Sequence, residues 1–419
     1  MAALEVLREH FEEPESDPTV WVKIDSAQVR RTVVALRVMA PNALCPIEDR
    51  ISIIYPGVRL SYGKVQGMAA EAEAQAAAFN AKADLSGVRA GALDEMFSQG
   101  EPVLAGVDLD SGYVFGLALR ETRRGEDWAE VLKQGQDQGL SLGVVVKDAA
   151  KGIEAGVNEV FPQAEQRDDC FHALYELNKV RRRLEQRAYR AIAAEEEAHH
   201  QLPQIPASDR KQRRCHRHRI ARAHRHCQEA IVRFDRFEEA MQEVQEGLEC
   251  VDLEDGHLRQ AGEVKALIEQ AADSLQVLDP ACHKVARYLR NRAAGLSLAT
   301  GELNTRLHEL ATTYSLGAVA CMLWRLVLEL QNDRRPWQRA QQHRHLIGAF
   351  AYLKHLRGPQ LDALLNAVKA LLDQRHRASS AIEGFNDALR PFLYVHKGVT
   401  QGFLELFRAY YNLIPIRNL

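Results

Sequence analysis

The 419-residue chain is 46% hydrophobic and 26% charged, a composition typical of a folded protein with roughly two or three domains. It has no run of about 18 apolar residues, and its first residues are acidic without an apolar segment. We therefore expect neither a membrane span nor a secretory signal. Seven scattered cysteines fit a reducing cytoplasm better than a disulfide framework.

Charge is unevenly distributed along the chain, although its net value is only −3. Such segregation lets a nearly neutral protein present a basic face to phosphate groups. Solvated helix faces are the alternative for any one cluster. Lysine and arginine concentrate in residues 180–190, 209–227 and 334–345, and acidic residues concentrate in the N-terminal tail, 193–198 and 238–256.

The N-terminal region is predicted to hold a tail at 1–25 and a helical region of three helices at 26–84. A Pro-Gly pair separates the second helix from the third, and Ser61 is suited to cap the third. This order is typical of a helix-turn-helix that reads DNA. A plain helical hairpin packed on the next domain is the alternative. The residues that would face DNA are Arg59, Tyr62, Lys64 and Gln66.

An α/β pattern begins near Leu85. Apolar runs with turn residues between them predict three meandering strands, then a helix, a buried strand and another helix. The remaining chain to about residue 374 has helical periodicity and no convincing strand. The predicted strands lie at 88–97, 102–110, 112–119 and 142–148, and the predicted helices lie at 126–140 and 151–161.

Three acidic residues are the most informative feature of the sequence. Asp94 and Asp148 close or interrupt apolar strands, and Glu383 lies early in a helical segment. A carboxylate is costly to bury unless a cation balances it. Three carboxylates brought together would hold hard divalent metals, and paired metals suit phosphodiester chemistry.

The motifs around these acids resemble those of DDE transposases of bacterial insertion sequences, over residues 88–179 and 378–412. The similar features are the Asp94-Glu95 strand, the VVVKD strand with its following helix, and the SAIEGFNDALR block, which is similar to a final E-x-x-N helix. One departure is that Cys170 and His172 are spaced C-x-H, where Mutator-like relatives have C-x-x-H.

The resemblance implies an RNase H-like core with a mixed five-stranded sheet, split by a large all-helical insertion as in Mutator-like and hAT-type enzymes. It also implies that Asp94, Asp148 and Glu383 are catalytic and hold two Mg²⁺ or Mn²⁺ ions. The implied divisions are an N-terminal segment of the core at 85–172, the insertion at 173–374, and a C-terminal segment of the core at 375–419.

Other acids compete for these roles. Asp108 and Asp110 precede a Ser-Gly pair, which favours a hairpin turn over catalysis. Glu95 alternates to the opposite face of the strand from Asp94, so both cannot face the same metals. Glu383 follows two serines, and a first-turn glutamate can also serve a helix cap.

Further contacts with DNA are expected from two helices. Asn386 and Arg390 share a helix face with Glu383 and are expected to point toward the DNA backbone. His172 could contact the scissile phosphate or be a satisfied core histidine. Segment 215–227 holds two cysteines and four histidines, for which phosphate binding is preferred to zinc binding. The basic helix would bind phosphates through Arg213, Arg214, Arg217 and Arg222.

The sequence thus predicts an enzyme that cuts and transfers DNA strands at the ends of an insertion sequence. Its expected partners are the terminal repeats and target DNA, bound by a homodimer or higher oligomer in the bacterial cytoplasm at the nucleoid. No organic cofactor is expected. A catalytically silent DNA-binding derivative and an RNase H-like nuclease without strand transfer are the alternatives.

Overall fold

The computed structural model describes residues 24–148, 150–252, 257–332, 339–373, 380–395 and 398–413. Most of the predicted tail lies outside these ranges. The basic segment 334–345 lies outside the described residues or side chains, and so does Ser379.

Three helices form the first structural unit, in the order that the sequence predicts. Asp25 caps the first helix by accepting a hydrogen bond from the Gln28 amide. Ser61 occupies the N-cap position of the third helix without a capping side-chain hydrogen bond. Val33, Ile47 and Val65 are at the centre of the shared core. The helices are α1 (Ser26–Val38), α2 (Leu44–Ile54) and α3 (Tyr62–Asn80).

A mixed five-stranded sheet follows, with the strand order β3-β2-β1-β4-β5. The first three strands form an antiparallel meander, while β4 and β5 run parallel to β1. Four strands match predicted apolar runs, but β5 was not predicted because its sequence, EQRD, is polar. The strands are β1 (Ala90–Ser98), β2 (Glu101–Asp108), β3 (Val114–Leu119), β4 (Val144–Lys147) and β5 (Glu165–Asp168).

Helices cover both faces of this sheet. On one face, α4 (Gly125–Asp137) and α5 (Lys151–Val160) bury a core centred on Trp128. These two helices approach closely at Gly156, where an added Cβ would lie 2.5 Å from the Trp128 side chain. On the other face, α13 (Ser380–Val395) and α14 (Gln401–Leu413) pack aromatic rings against β1, β2 and β3.

A long helical segment separates β5 from α13. Its first four helices share one apolar core, and the later helices share a second with the end of the fourth. The first helix begins at Cys170, three residues before the predicted boundary, because Asp169 caps it. The helices are α6 (Cys170–Gln201), α7 (Arg210–Gly247), α8 (Ala261–Leu278), α9 (His283–Thr313), α10 (Ala320–Asn332), α11 (Arg339–Arg357) and α12 (Leu361–Asp373).

The helical segment is joined to the edge of the sheet by buried ion pairs. Asp168 at the end of β5 accepts a hydrogen bond from Arg292 of α9 at 3.0 Å, and Arg167 pairs with Glu302 of the same helix. Gly295 lets α9 approach, since a Cβ there would lie 2.0 Å from the Asp168 carboxylate. Helix α9 therefore lies directly against β5. Within the described ranges, no helix is long and apolar enough to cross a membrane.

Candidate active site

The register between two central strands brings Asp94 and Asp148 together. Strands β1 and β4 run parallel, and Leu93 pairs with Lys147 at the end of their ladder. The next residue on each strand is an aspartate. Backbone amides orient both carboxylates, because Asp94 Oδ1 accepts from Glu95 N and Asp148 Oδ1 accepts from Ala150 N, each at 2.8 Å.

Helix α13 lies against β1 and carries Glu383 and, one turn later, Asn386. The Asn386 side-chain amide donates a hydrogen bond to Asp94 Oδ2 at 2.6 Å. Asn386 is only 1% exposed, and its Oδ1 atom has no hydrogen-bond partner in the structure. The expected contact between Asn386 and the DNA backbone is therefore wrong, because this side chain is buried against Asp94.

The carboxylates act on one another electrostatically. Burial raises the pKa of Asp94 to about 7, and the negative charges of Asp148 and Glu383 contribute to the rise, against the lowering effect of the Glu95 and Asn386 hydrogen bonds. Burial also raises the pKa of Glu383, where Arg390 opposes the effect and Asp169 adds to it. The three predicted acids therefore share one electrostatic environment, and a cation would relieve their mutual repulsion.

The donor set suits a hard divalent cation. Magnesium takes one or two protein carboxylates, several waters and the phosphate oxygens of a substrate. Asp94, Asp148 and Glu383 offer carboxylate oxygens from two strands and one helix. Within the described ranges, no three acidic, histidine or cysteine side chains are grouped closely enough to hold a metal ion by themselves.

Glu95 faces away from this cluster, as the alternation of side chains along β1 predicts. Its carboxylate accepts hydrogen bonds from Arg123 at 2.8 Å and from the Trp128 indole at 3.2 Å. The Glu95 side chain is 4% exposed, so the ion pair with Arg123 compensates its burial. Glu95 therefore fixes the position of α4 on the opposite face of the sheet.

Asp108 has the turn role that its sequence context predicts. Its Oδ2 atom accepts hydrogen bonds from the amide and the hydroxyl of Ser111. Gly112 has a positive φ of 72°, which a tight hairpin requires. These bonds hold the turn between β2 and β3 closed.

A second acidic pair, Asp168 and Asp169, was missed by sequence reasoning. It ends β5 beside β4, and Lys147 lies 3.8 Å from the Asp168 carboxylate. Asp169 caps α6, and its charge acts on Glu383. The signal that could have found this pair is two aspartates directly before a strong helical pattern, because that is the position of an N-cap.

His172 lies at the rim of the site and is not a core residue. Its side chain is 33% exposed and lies 4.0 Å from Glu176. Its positive form lowers the pKa of Glu383, and its ring lies 6.0 Å from the Tyr288 ring. The interpretation of His172 as a satisfied core histidine is therefore wrong.

Three of the four arginines assigned to the basic helix are exposed on α7: Arg214, Arg217 and Arg222. The fourth, Arg213, is partly buried and donates a hydrogen bond to the carbonyl of Ile205 at 2.8 Å. It is thus partly engaged within the fold, and its assignment to phosphate stays a prediction. Among the cysteines and histidines of this helix that the structure describes, none form a group that could hold a metal ion.

The other predicted DNA contacts are exposed. Arg59 precedes α3 and Lys64 lies in its first turn, both on the surface. Arg390 is exposed on α13 and forms an ion pair with Asp387. The structure therefore places Asp94 and Asp148 at adjacent strand positions and Asn386 against Asp94, with Glu383 one helical turn before Asn386 on α13. The remaining basic residues lie on separate helices.

Residues 90–248 match the family model described as "Transposase, Mutator family", and this range runs from the first residue of β1 to the end of α7. It includes Asp94 and Asp148 but not Glu383. No curated protein matches the chain. The family match supports a transposase function.

Proposed function

We propose that this chain is a DDE-type transposase that cleaves DNA at the ends of a bacterial insertion sequence and joins those ends to a target. One observation carries the proposal: the β1–β4 register places Asp94 and Asp148 side by side, and Asn386, one helical turn after Glu383, donates a hydrogen bond to Asp94 from a helix remote in sequence. A structural acid has no need of two like charges beside it. A metal-dependent phosphodiester site does.

The architecture supports an RNase H-like core. The sheet has a three-strand meander followed by two parallel strands, and its central pair carries Asp94 and Asp148. Helix α13 returns after the helical segment and lays Glu383 and Asn386 against β1. The helical segment then corresponds to the insertion that divides the catalytic domain of similar transposases.

Asp94, Asp148 and Glu383 would hold two Mg²⁺ or Mn²⁺ ions. When bound, such ions activate the attacking oxygen and stabilise the leaving oxygen in a phosphodiester displacement. Asn386 keeps the Asp94 carboxylate in a fixed orientation. Burial and the neighbouring carboxylates raise the Asp94 pKa to about 7, and a bound cation would favour its ionised form.

DNA would be held by separate basic surfaces. Arg214, Arg217 and Arg222 on α7 present charge suited to phosphates, and they carry no sequence information. Arg59 and Lys64 at the start of α3 are exposed where a recognition helix would enter the major groove. Both ends of the element must be brought together for strand transfer, which favours a homodimer or higher oligomer on DNA.

The test uses labelled duplexes carrying the inverted repeats that flank the gene, together with a supercoiled target plasmid, in Mg²⁺ or in EDTA. We expect metal-dependent cuts at the repeat ends and joined products in the plasmid. Cuts without joined products would leave a nuclease. Binding without cuts under either condition would leave a DNA-binding protein that has lost catalysis.

A further inference from the structure

Two exposed aromatic rings stand in a column beside the candidate active site. Phe171 and Tyr175 are 49% and 48% exposed, and their rings stack with centroids 6.4 Å apart and an interplanar angle of 14°. Lys179 continues the column, with its Nζ atom 4.2 Å from the Tyr175 ring centroid. We call these three residues the aromatic ladder. Two exposed, stacked rings that end beside a cation present a flat surface suited to stacking.

The ladder begins next to the acidic cluster. The Phe171 amide donates a hydrogen bond at 2.8 Å to Asp169, whose charge acts on Glu383. His172, the following residue, also acts on Glu383, and its ring lies 6.2 Å from the Tyr175 ring. Strand register agrees, because Lys147 pairs with Asp168 and the next residues, Asp148 and Asp169, therefore lie at the same end of the sheet as the start of the ladder.

Helical spacing extends the ladder into a longer stripe. Residues 171, 175, 179, 182 and 189 share one face of α6, because each lies within a narrow angular range at 3.6 residues per turn. Arg182 and Tyr189 are exposed on that face. The Lys179 ammonium also pairs with Glu176, while the Arg182 guanidinium is exposed farther along. The stripe thus combines stacking surfaces with cations.

We propose that the aromatic ladder binds an unpaired nucleobase of the DNA strand at the active site, with Arg182 receiving the adjoining phosphate. Aromatic side chains stack on any base, and cations along the same groove follow the backbone. A paired base inside a duplex has both faces covered by its neighbours, and at a blunt end only one face of the last pair is open, so the rings stack best on an unpaired base. The proposal rests on the proposed function, since it places the ladder beside the strand to be cut.

The test compares two duplexes of one sequence, one blunt and one with three unpaired nucleotides at its end, binding to the full-length protein without divalent metal. A 2-aminopurine in the unpaired segment reports stacking by loss of fluorescence. We expect the wild type to bind the unpaired end about tenfold more tightly and to quench the probe. Phe171→Ala and Tyr175→Ala should each reduce the preference severalfold and weaken quenching. Tyr175→Phe should retain both.

A matched control is Tyr352→Ala, which removes a ring that is 50% exposed on α11, in a different region of the molecule. It should leave the preference unchanged. Equal wild-type affinity for both duplexes, or quenching that survives in both the Phe171→Ala and the Tyr175→Ala protein, would overturn the proposal. A change in the oligomeric state of either alanine variant on size exclusion would also overturn the proposal, because it would show that the ladder binds a second copy of the chain. A protein that cuts DNA without this preference refutes only the ladder, and one that binds no DNA refutes the proposed function as well.

Discussion

Asp94 is the residue on which the candidate site depends. It lies in the middle of a central strand, where burial and two neighbouring carboxylates oppose its ionisation. Asn386 and the Glu95 amide oppose that effect by donating hydrogen bonds to the charged form. Burial and hydrogen bonding thus set the Asp94 pKa near the pH at which the protein would act. Substitutions of residues that contact Asp94 should therefore change the pH dependence of activity measurably.

The Asn386 hydrogen bond gives the first prediction. Asn386→Ala removes a donor that lowers the Asp94 pKa, so the pKa should rise above its present value of about 7. The pH at half-maximal cleavage should rise with it, and the rate at pH 7 should fall by about tenfold. A pH–rate profile measures both. Asn158→Ala, at an exposed position on α5, is the control. Identical profiles for the two variants would show that Asn386 does not act on Asp94.

The raised Asp94 pKa also predicts how stability depends on pH. The unfolded chain loses this proton near pH 3.8 and the folded chain loses it near pH 7. Between these values the folded state binds more protons, so its stability relative to Asp94→Asn should fall as pH rises from about 4 to 7 and then level off. Melting temperatures of the wild type and of Asp94→Asn, recorded from pH 5 to 8, measure the difference in stability between the two proteins at each pH.

Mg²⁺ should reverse this loss for the wild type, because the metal binds the ionised carboxylate. The stabilisation by Mg²⁺ should be larger at pH 8 than at pH 5.5 and small for Asp94→Asn. If Mg²⁺ changes the melting temperature of the wild type and of Asp94→Asn by the same amount at each pH, Asp94 does not belong to the proposed metal site.

At the scale of elements, α14 protects the exposed edge of the sheet. Strand β3 ends the sheet, and its free backbone groups are satisfied by side chains of α14. Arg408 donates to the carbonyls of Val114 and Phe115 at 2.9 and 2.8 Å. Asn412 accepts from the Val114 amide and also donates to the Val114 carbonyl, while Gln401 accepts from the Leu119 amide and donates to the Leu117 carbonyl. An edge strand with unsatisfied groups would invite pairing with another chain. The helix removes that risk.

Arg408→Met tests this arrangement. The variant removes the hydrogen bond that the Phe115 carbonyl accepts from Arg408. It also removes a buried guanidinium group, whose pKa is lowered by burial. We expect a loss of stability of about 2 kcal/mol in urea unfolding and more aggregation through the opened edge. Arg190→Met, at an exposed position on α6, should change neither. A fully stable, monodisperse Arg408→Met protein would show that α14 is dispensable for edge protection.

The basic helix α7 gives a prediction about binding. Replacing Arg214, Arg217 and Arg222 with glutamine should weaken DNA binding equally for all sequences, and should lower the salt slope by roughly one unit per lost phosphate contact. Titration of affinity against salt measures the slope. Arg213→Gln should affect folding more than the slope, because Arg213 bonds to Ile205. An unchanged slope in the triple variant would move the phosphate site elsewhere.

Sequence reasoning reached the strands and helices whose periodicity is strong, including α7 over its full length. It missed β5, because the buried side chains of that strand, Arg167 and Asp168, are charged and pair with Glu302 and Arg292 of a distant helix. Periodicity placed Asn386 on the Glu383 face but could not tell that this face is buried on β1. Both failures concern partners that are remote in sequence, and no local pattern records such partners.

At the scale of the whole molecule, the helical segment and the sheet form one connected structure. The ion pairs of β5 with α9 hold that junction, and Gly295 gives the close approach. Helix α3 packs along α14, where Asn80 bonds to Glu405 at 2.7 Å. The N-terminal helices thus rest on the helix that covers the sheet edge, and basic surfaces on α3 and α7 have fixed positions relative to the carboxylates.

The most direct test of a three-acid active site is a comparison of alanine variants at Asp94, Asp148 and Glu383. Each should lower Mg²⁺-dependent cleavage of end DNA by roughly a thousandfold or more, because each removes a carboxylate from the metal site. Affinity for the same DNA, measured without metal, should stay within about threefold of the wild type. Asp108→Asn, in the β2–β3 turn, should continue to cut. An Asp94→Ala protein that cuts at the wild-type rate, beside an Asp108→Asn protein that does not, would contradict the assignment.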